Sequence, residues 1–133
     1  MKYSCFKKAR EEMFLADYSG TARIGCVVYY KGALLAKGFN TNKTCPVQKK
    51  FNIYRYKSSN TLDKVHAEIS ALKKIRFLDI DFSRVEVYIY RETKKGEIAM
   101  ARPCESCMAF IKELGIKRIF YTTPDGYVEE RLK

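Results

Sequence analysis

Two short stretches, HAEISAL at residues 66–72 and PCESC at residues 103–107, decide how this chain is interpreted. The first places the single histidine, His66, two residues before Glu68, and the second contains the Cys-x-x-Cys pair Cys104 and Cys107. Two thiolates and one imidazole are three zinc ligands, and three protein ligands leave the fourth tetrahedral position open for water, as in catalytic sites. The two stretches therefore predict a catalytic zinc site.

Both stretches are expected at helix starts. Apolar residues recur at three- and four-residue spacing over about 64–76, which predicts a helix, and Pro103 suits the first turn of another that Gly115 ends. Both thiols would then lie at a helix N-terminus, where free N–H groups and the helix dipole lower the pKa of a thiol. Glu68 cannot easily ligate the same metal from its turn, but it can reach the metal's water. We therefore predict that Glu68 moves protons.

A Cys-x-x-Cys pair alone has other meanings. A redox pair normally follows the first strand of a thioredoxin-like unit, whereas this pair follows three predicted strands. A four-cysteine structural zinc site would need a second close pair, which Cys5, Cys26 and Cys45 do not supply. A non-catalytic zinc module remains an alternative, although such a module has no use for Glu68 beside an open coordination position.

The remaining residues surround these stretches with alternating elements. We predict a helix over 3–17, a hairpin of strands 24–30 and 33–39, and strand 85–90. These are followed by a short extended piece over 97–102, strand 117–122, a turn at 124–126 and a last strand over 127–132. The order is α-β-β-α-β-α-β-β, which predicts one domain over 1–133 with a mixed sheet between helices. A length of 133 residues with 47% hydrophobic composition fits one core and excludes disordered and collagen-like chains.

His-x-Glu followed by Pro-Cys-x-x-Cys resembles the signature of the zinc nucleobase deaminase superfamily. HAEISAL also resembles the first metal-binding helix of that family, and Gly-Phe-Asn at 38–40 resembles its Gly-x-Asn after the second strand. The resemblance covers nearly the whole chain. It implies a cytidine deaminase-like three-layer α/β/α fold, with a five-stranded mixed sheet and a C-terminal β-hairpin.

The resemblance also implies roles for individual residues. Zn²⁺ would be the cofactor, held by His66, Cys104 and Cys107. Catalysis would depend on proton transfer by Glu68. Substrate would contact the backbone N–H of Ala67 and the side chain of Asn40, which would hold the sugar, with Phe39 and Arg102 as further candidates. The alternative for Asn40 is a turn residue that caps its strand.

Three departures from better-known branches leave the substrate open. Ala-Arg-Pro at 101–103 stands where polynucleotide cytosine deaminases have Ser-Trp-Ser. The segment 90–100 is longer than in tRNA adenosine deaminases. The turn at 124–126 resembles the branch with a terminal hairpin, as in free cytidine deaminases and several deaminase toxins.

Charge favours a phosphate-bearing partner. The chain has 26 Lys+Arg against 15 Asp+Glu, a net charge of +11, and residues 41–64 carry six basic residues and one acid among several aromatics. We therefore expect cytosine deamination in single-stranded or flipped bases of DNA or RNA. The candidate contacts are Lys49, Lys50, Phe51, Tyr54, Arg55, Tyr56 and Lys57. The alternatives are deamination of free cytidine, deoxycytidine or dCMP, and of adenine or guanine. Basicity could instead serve solubility, and the aromatics could pack onto the core.

Location and partners follow from absences in the sequence. No apolar run approaches the roughly 20 residues that span a bilayer, and the N-terminus lacks a signal-peptide pattern. Five cysteines, an odd number, argue against a disulfide scaffold. We expect a cytoplasmic protein with no membrane partner, with secretion as a toxin left open.

Overall fold

The computed structural model describes residues 3–16, 22–41 and 66–132. A short 3₁₀ turn, Phe82–Arg84, precedes the third strand. The helices and strands are α1 (Tyr3–Met13), β1 (Ala22–Tyr30), β2 (Ala33–Phe39), α2 (Ala67–Leu72), β3 (Val85–Thr93), α3 (Glu105–Leu114), β4 (Arg118–Thr123) and β5 (Gly126–Arg131). No helix among these residues is long and apolar enough to cross a bilayer.

The five strands form one mixed sheet in the order β2-β1-β3-β4-β5. β3 and β4 are parallel and the other neighbours are antiparallel, so the predicted five-stranded mixed sheet and C-terminal hairpin are confirmed. Because β2, β3 and β4 all run in one direction, their carboxyl ends lie at the same edge of the sheet. We call this the site edge, because α3 begins there after β3.

Helix α1 covers one face of the sheet. Phe6, Ala9 and Met13 are buried there against Val27 and neighbouring aromatic side chains. The approach is so close that a Cβ atom on Gly25 would lie 2.1 Å from the Ala9 carbonyl oxygen. Glycine at this position therefore sets the distance between α1 and β1.

Helices α2 and α3 cover the opposite face. Cys26 and Val28, which alternate with the α1-facing side chains of β1, pack with Ile69 of α2 and Ile111 of α3. A Cβ atom on Gly38 would lie 2.6 Å from the backbone nitrogen of Ala71, so β2 and α2 also touch at the backbone. The predicted three-layer α/β/α fold is thus confirmed.

Both site helices begin later than predicted. His66 (φ −85°, ψ 160°) and Cys104 (φ −68°, ψ 172°) have extended backbones, so α2 begins at Ala67 and α3 at Glu105. α2 also ends early. The backbone nitrogens at 74 and 75 bond three residues back, to 71 and 72, which tightens the chain into turns.

The segment between β3 and α3 is a hairpin-like extension. β3 continues to Thr93 instead of ending at Tyr90, and the predicted extended piece over 97–102 contributes one bridge, between Glu92 and Ile98. The Thr93 nitrogen donates to the Glu97 carbonyl, which closes the turn. The chain then returns to the site edge and leads into Cys104.

Candidate active site

Three donor atoms meet where α2 and α3 begin. The Sγ atom of Cys107 lies 3.3 Å and that of Cys104 lies 3.5 Å from Nδ1 of His66. The donor atoms of the three residues all lie within 4.8 Å of one another. The fold thus brings together the three residues that the sequence analysis selected as zinc ligands.

The spacing of these atoms fits zinc. Zn–S bonds of about 2.3 Å and Zn–N bonds of about 2.0–2.1 Å at tetrahedral angles place sulfur and nitrogen about 3.6 Å apart. The two observed sulfur–nitrogen distances are 3.3 and 3.5 Å. Zinc therefore fits between the three side chains with little rearrangement.

Local backbone conformation explains why two of the ligands face each other. His66 and Cys104 are the N-cap residues of their helices, and in this position the two side chains lie against each other. The first N–H groups of α3 have no partner inside the helix, and they place partial positive charge near the sulfurs. The cap position of Cys104 therefore places its sulfur beside His66 and favours the thiolate form.

The two thiols differ in acidity. The hydrogen bond from Cys107, helped by His66, lowers the pKa of Cys104 to about 3. Burial raises the pKa of Cys107 well above its ordinary value. One of the two sulfurs is therefore anionic at neutral pH before metal arrives, and metal binding must displace the proton of the other.

Glu68 lies beside the three donors but is not one of them. Its side chain interacts with His66 and Cys107, it is 4% exposed, and burial raises its pKa. Its Oε1 atom has no hydrogen-bond partner within the residues that the structure describes. A buried acceptor without a partner is costly, so this oxygen suits a donor from outside the chain, such as water or substrate.

Residues 2–123 match the family described as the cytidine and deoxycytidylate deaminase zinc-binding region. The chain belongs to this deaminase family. The family and the donor set together assign zinc as the cofactor. No curated protein sequence matches the chain significantly.

Solved deaminase structures share the fold at low identity. The dCMP deaminase of cyanophage S-TIM5 in apo form has 20% identity and a TM-score of 0.60, covering 91% of this chain and 84% of that one. Cytidine deaminase from Burkholderia pseudomallei has 14% identity and a TM-score of 0.66, covering 98% and 92%. Cytidine deaminase from Mycobacterium leprae has 16% identity and a TM-score of 0.57, covering 96% and 91%.

A further buried residue, which was not predicted from the sequence, lies near Glu68 and Cys107. Cys26 of β1 is fully buried, and it interacts electrostatically with Glu68 and Cys107. It lies outside the three-donor cluster. Its only sequence signal was its register in β1, on the face of the sheet that α2 covers.

The predicted substrate contacts of this deaminase lie in different places. Asn40 ends β2 at the site edge, where its Oδ1 accepts from the Ile24 nitrogen at 2.9 Å. This bond supports the capping alternative and fixes the orientation of the amide. Phe39 pairs with Gly25, and alternation therefore places it on the α1 side, away from His66. Ala67 is the buried first residue of α2.

Arg102 is engaged by another part of the chain. Its Nε and Nη2 donate to the two carboxylate oxygens of Glu130 on β5, at 2.9 and 3.0 Å. The Tyr121 hydroxyl donates to the same carboxylate at 2.9 Å. Sequence reasoning could not find Glu130 and Tyr121, because both lie in ordinary alternating strands.

The predicted nucleic-acid contacts lie outside the described residues. They are Lys49, Lys50, Phe51, Tyr54, Arg55, Tyr56 and Lys57, all within 42–65.

Proposed function

We propose that this chain is a hydrolytic deaminase that converts cytosine to uracil and releases ammonia. The observation that carries the proposal is the buried Oε1 of Glu68, which has no hydrogen-bond partner among the described residues and lies beside the three metal-binding donors. A structural zinc site has no need for such a carboxylate, whereas a hydrolytic site requires a group that accepts and returns protons.

Different residues of the chain would bind the metal and transfer the protons. Zinc, when bound by His66, Cys104 and Cys107, supplies Lewis acidity that lowers the pKa of a bound water towards neutrality. Glu68 accepts a proton from the attacking water and delivers it to ring nitrogen N3 as the C4–O bond forms. Glu68 then carries the proton of the new C4 hydroxyl group to the departing amino group, as the C4–N bond breaks and the C4 carbonyl forms. Water is consumed, ammonia leaves and no oxidant is needed.

The substrate contacts that we propose are those on the α2 side of the sheet. The backbone N–H of Ala67 is at the start of α2, where no intrahelical acceptor is available, and can donate to the base. The Asn40 amide, oriented by Ile24, is the proposed contact to the sugar.

We further propose that the cytosine belongs to a single-stranded polynucleotide. Residues 42–65 contain six of the 26 Lys+Arg and only one of the 15 Asp+Glu. The described chain enters this segment from Thr41, next to Asn40, and resumes at His66, so both junctions are at the site edge. Lysines and arginines there would neutralise phosphates beside the reacting base, and aromatic rings would stack on neighbouring bases.

A free nucleoside or nucleotide is the second candidate substrate. Its support is that the solved structures that share this fold include enzymes named as cytidine and dCMP deaminases. A single phosphate would need fewer basic groups than a polynucleotide.

Salt dependence separates the two candidates. We expect single-strand binding with a log–log salt slope of about −0.7 per neutralised phosphate. The serine variant of Lys49, Lys50, Arg55 and Lys57 should bind more weakly with a flatter slope, and it should retain zinc.

An equal change of charge at the opposite edge of the sheet is the control. Its serine substitutions are at Lys31, Arg84, Lys112 and Lys117, and they should leave the slope unchanged. Equal deamination of single-stranded DNA and RNA by the parent and the first variant would contradict the polynucleotide surface. Efficient turnover of cytidine or dCMP without any turnover of polynucleotide would favour the second candidate.

A further inference from the structure

The segment that delivers Cys104 to the site is fastened to the sheet along its length. The Thr122 hydroxyl donates to the Ala99 carbonyl at 2.8 Å, and the Ala101 nitrogen donates to the Thr122 carbonyl at 2.9 Å. Nη1 of Arg91 donates to the Met100 carbonyl at 3.1 Å. Residues 99–101 are therefore held by the ends of β3 and β4.

The next residue is held by β5. Arg102 forms a two-pronged ion pair with Glu130, and the Tyr121 hydroxyl donates to the same carboxylate. We call these three residues the β5 clamp. The Arg102 hydrogen bonds lower the pKa of Glu130, so the carboxylate is charged at neutral pH.

Little freedom separates the clamp from the metal ligand. Pro103 is the one residue between Arg102 and Cys104, and its ring fixes φ near −65°. Cys107 of α3 and His66 both bond the Cys104 sulfur, and that sulfur can reach them only when the backbone at residue 104 is correctly placed. The direction of the Cys104 sulfur therefore depends on how the chain enters from Arg102.

We propose that the β5 clamp is a positioning device for the zinc site, in which Glu130 of the last strand holds Arg102 and thereby Cys104 in the ligating geometry. The inference rests on the proposed zinc site. It makes the C-terminal hairpin part of the metal-binding apparatus, although no residue of β5 is in the three-donor cluster.

The clamp differs from an ordinary surface ion pair. Arg102 is half exposed and Glu130 is 26% exposed, and single exposed pairs contribute little to stability. This pair, however, has two-pronged geometry and a third partner, and it joins elements 28 residues apart. We therefore expect that loss of this pair speeds zinc release clearly, while the free energy of unfolding changes little.

The experiment measures how fast the zinc-loaded protein, without substrate, releases zinc to a chelator that changes colour on binding it. Glu130→Gln and Arg102→Gln should release zinc about three to ten times faster than the parent. Mutation of a group that is bonded directly to a metal ligand typically lowers metal affinity about 10- to 100-fold. We expect a smaller effect here, because Glu130 acts through Arg102 and not on Cys104 directly. Tyr121→Phe should show a smaller increase, and its minimal change keeps the test available if another variant fails to fold.

Glu129→Gln is the matched control. Glu129 is the neighbouring residue of β5 and pairs with Arg118 and Arg131 at 3.1 and 3.8 Å, but strand alternation places it on the α1 side. It should release zinc at the parental rate. The double exchange Arg102→Glu with Glu130→Arg should restore much of the lost retention.

Each outcome is decisive. Release from Glu130→Gln at the parental rate, or an equal increase in Glu129→Gln, would overturn the clamp and leave the deaminase proposal standing. A folded parent that binds no zinc would overturn both.

Discussion

His66 and Cys104 perform the same structural task at two helix starts. Each is the last non-helical residue before its helix, and each directs its side chain towards the other. The cap position is what lets residues 38 apart in sequence share one metal. The third donor, Cys107, lies three residues after Cys104, in the first turn of α3.

The site can be tested by removing one sulfur at a time. Cys104→Ala should lose zinc, because two donors remain of three, and it should be destabilised since metal joins α2 to α3. Cys26→Ala is the control. Cys26 is buried beside the site but outside the donor cluster, so this variant should keep one zinc per chain. Metal analysis of the purified proteins makes the comparison, and stoichiometric zinc in folded Cys104→Ala would refute the ligand assignment.

Residue types with fixed chemistry could be predicted from sequence, and pairings made by folding could not. The three donors and Glu68 were recognised from a compact motif, and the structure places them together. Arg102 stays a predicted substrate contact, but its ion pair with Glu130, 28 residues away, was not predicted. Nothing local to residue 102 indicates a strand that pairs later in the chain.

At the scale of elements, close contact between backbones determines where the helices lie. α1 approaches β1 at Gly25, and α2 approaches β2 at Gly38. Element types and order were predicted correctly from apolar periodicity. The predicted ends of the elements differ from the observed ones. Apolar periodicity does not show that His66 and Cys104 are extended cap residues, or that β3 continues to pair as far as Thr93.

Gly25→Ala should be severely destabilising. The added Cβ would lie 2.1 Å from the Ala9 carbonyl oxygen and 2.5 Å from the Met13 nitrogen, and these backbone atoms cannot yield without moving α1. We expect a loss of about 3 kcal/mol or more in the free energy of unfolding, at or beyond the upper end of overpacking effects. Urea unfolding of the zinc-loaded proteins measures it.

Gly32→Ala distinguishes this packing effect from simple loss of glycine. Gly32 has φ +83°, and apart from the adjoining residues nothing lies within 4 Å of the place that an alanine methyl group would occupy. Alanine there should therefore cost only about 1–2 kcal/mol of backbone strain. A Gly25→Ala protein no less stable than Gly32→Ala would contradict the packing account.

At the scale of the whole molecule, charge is unevenly distributed along the chain. Six basic residues and one acid lie between Asn40 and His66, the two residues at which the described chain meets the site edge. In contrast, charges on neighbouring strands pair with each other, as Arg118 of β4 does with Glu86 of β3 and Glu129 of β5. The net charge alone predicted an anionic partner. The position of the basic residues, in the segment that adjoins the site edge, is the reason for proposing a polynucleotide.

The sequence predicted the sheet, the layers and the metal ligands because each depends on local pattern or on a compact motif. One domain over 1–133 stays a prediction, and so does the nature of the substrate. Substrate choice depends on the shape and charge of the pocket entrance, which many separate residues form together.

The central claim, zinc-dependent hydrolysis with Glu68 as proton carrier, is tested most directly by following the product in oxygen-18 water. The zinc-loaded parent should convert the cytosine of at least one of four substrates to uracil: cytidine, dCMP, single-stranded DNA or single-stranded RNA. Each uracil should carry one heavy oxygen, and one ammonia should be released for each uracil formed. Glu68→Gln should retain zinc and form almost none, because the buried amide cannot accept the proton. Unlabelled uracil, uracil formed equally by zinc-loaded Glu68→Gln, or no uracil from any of the four substrates would contradict the account.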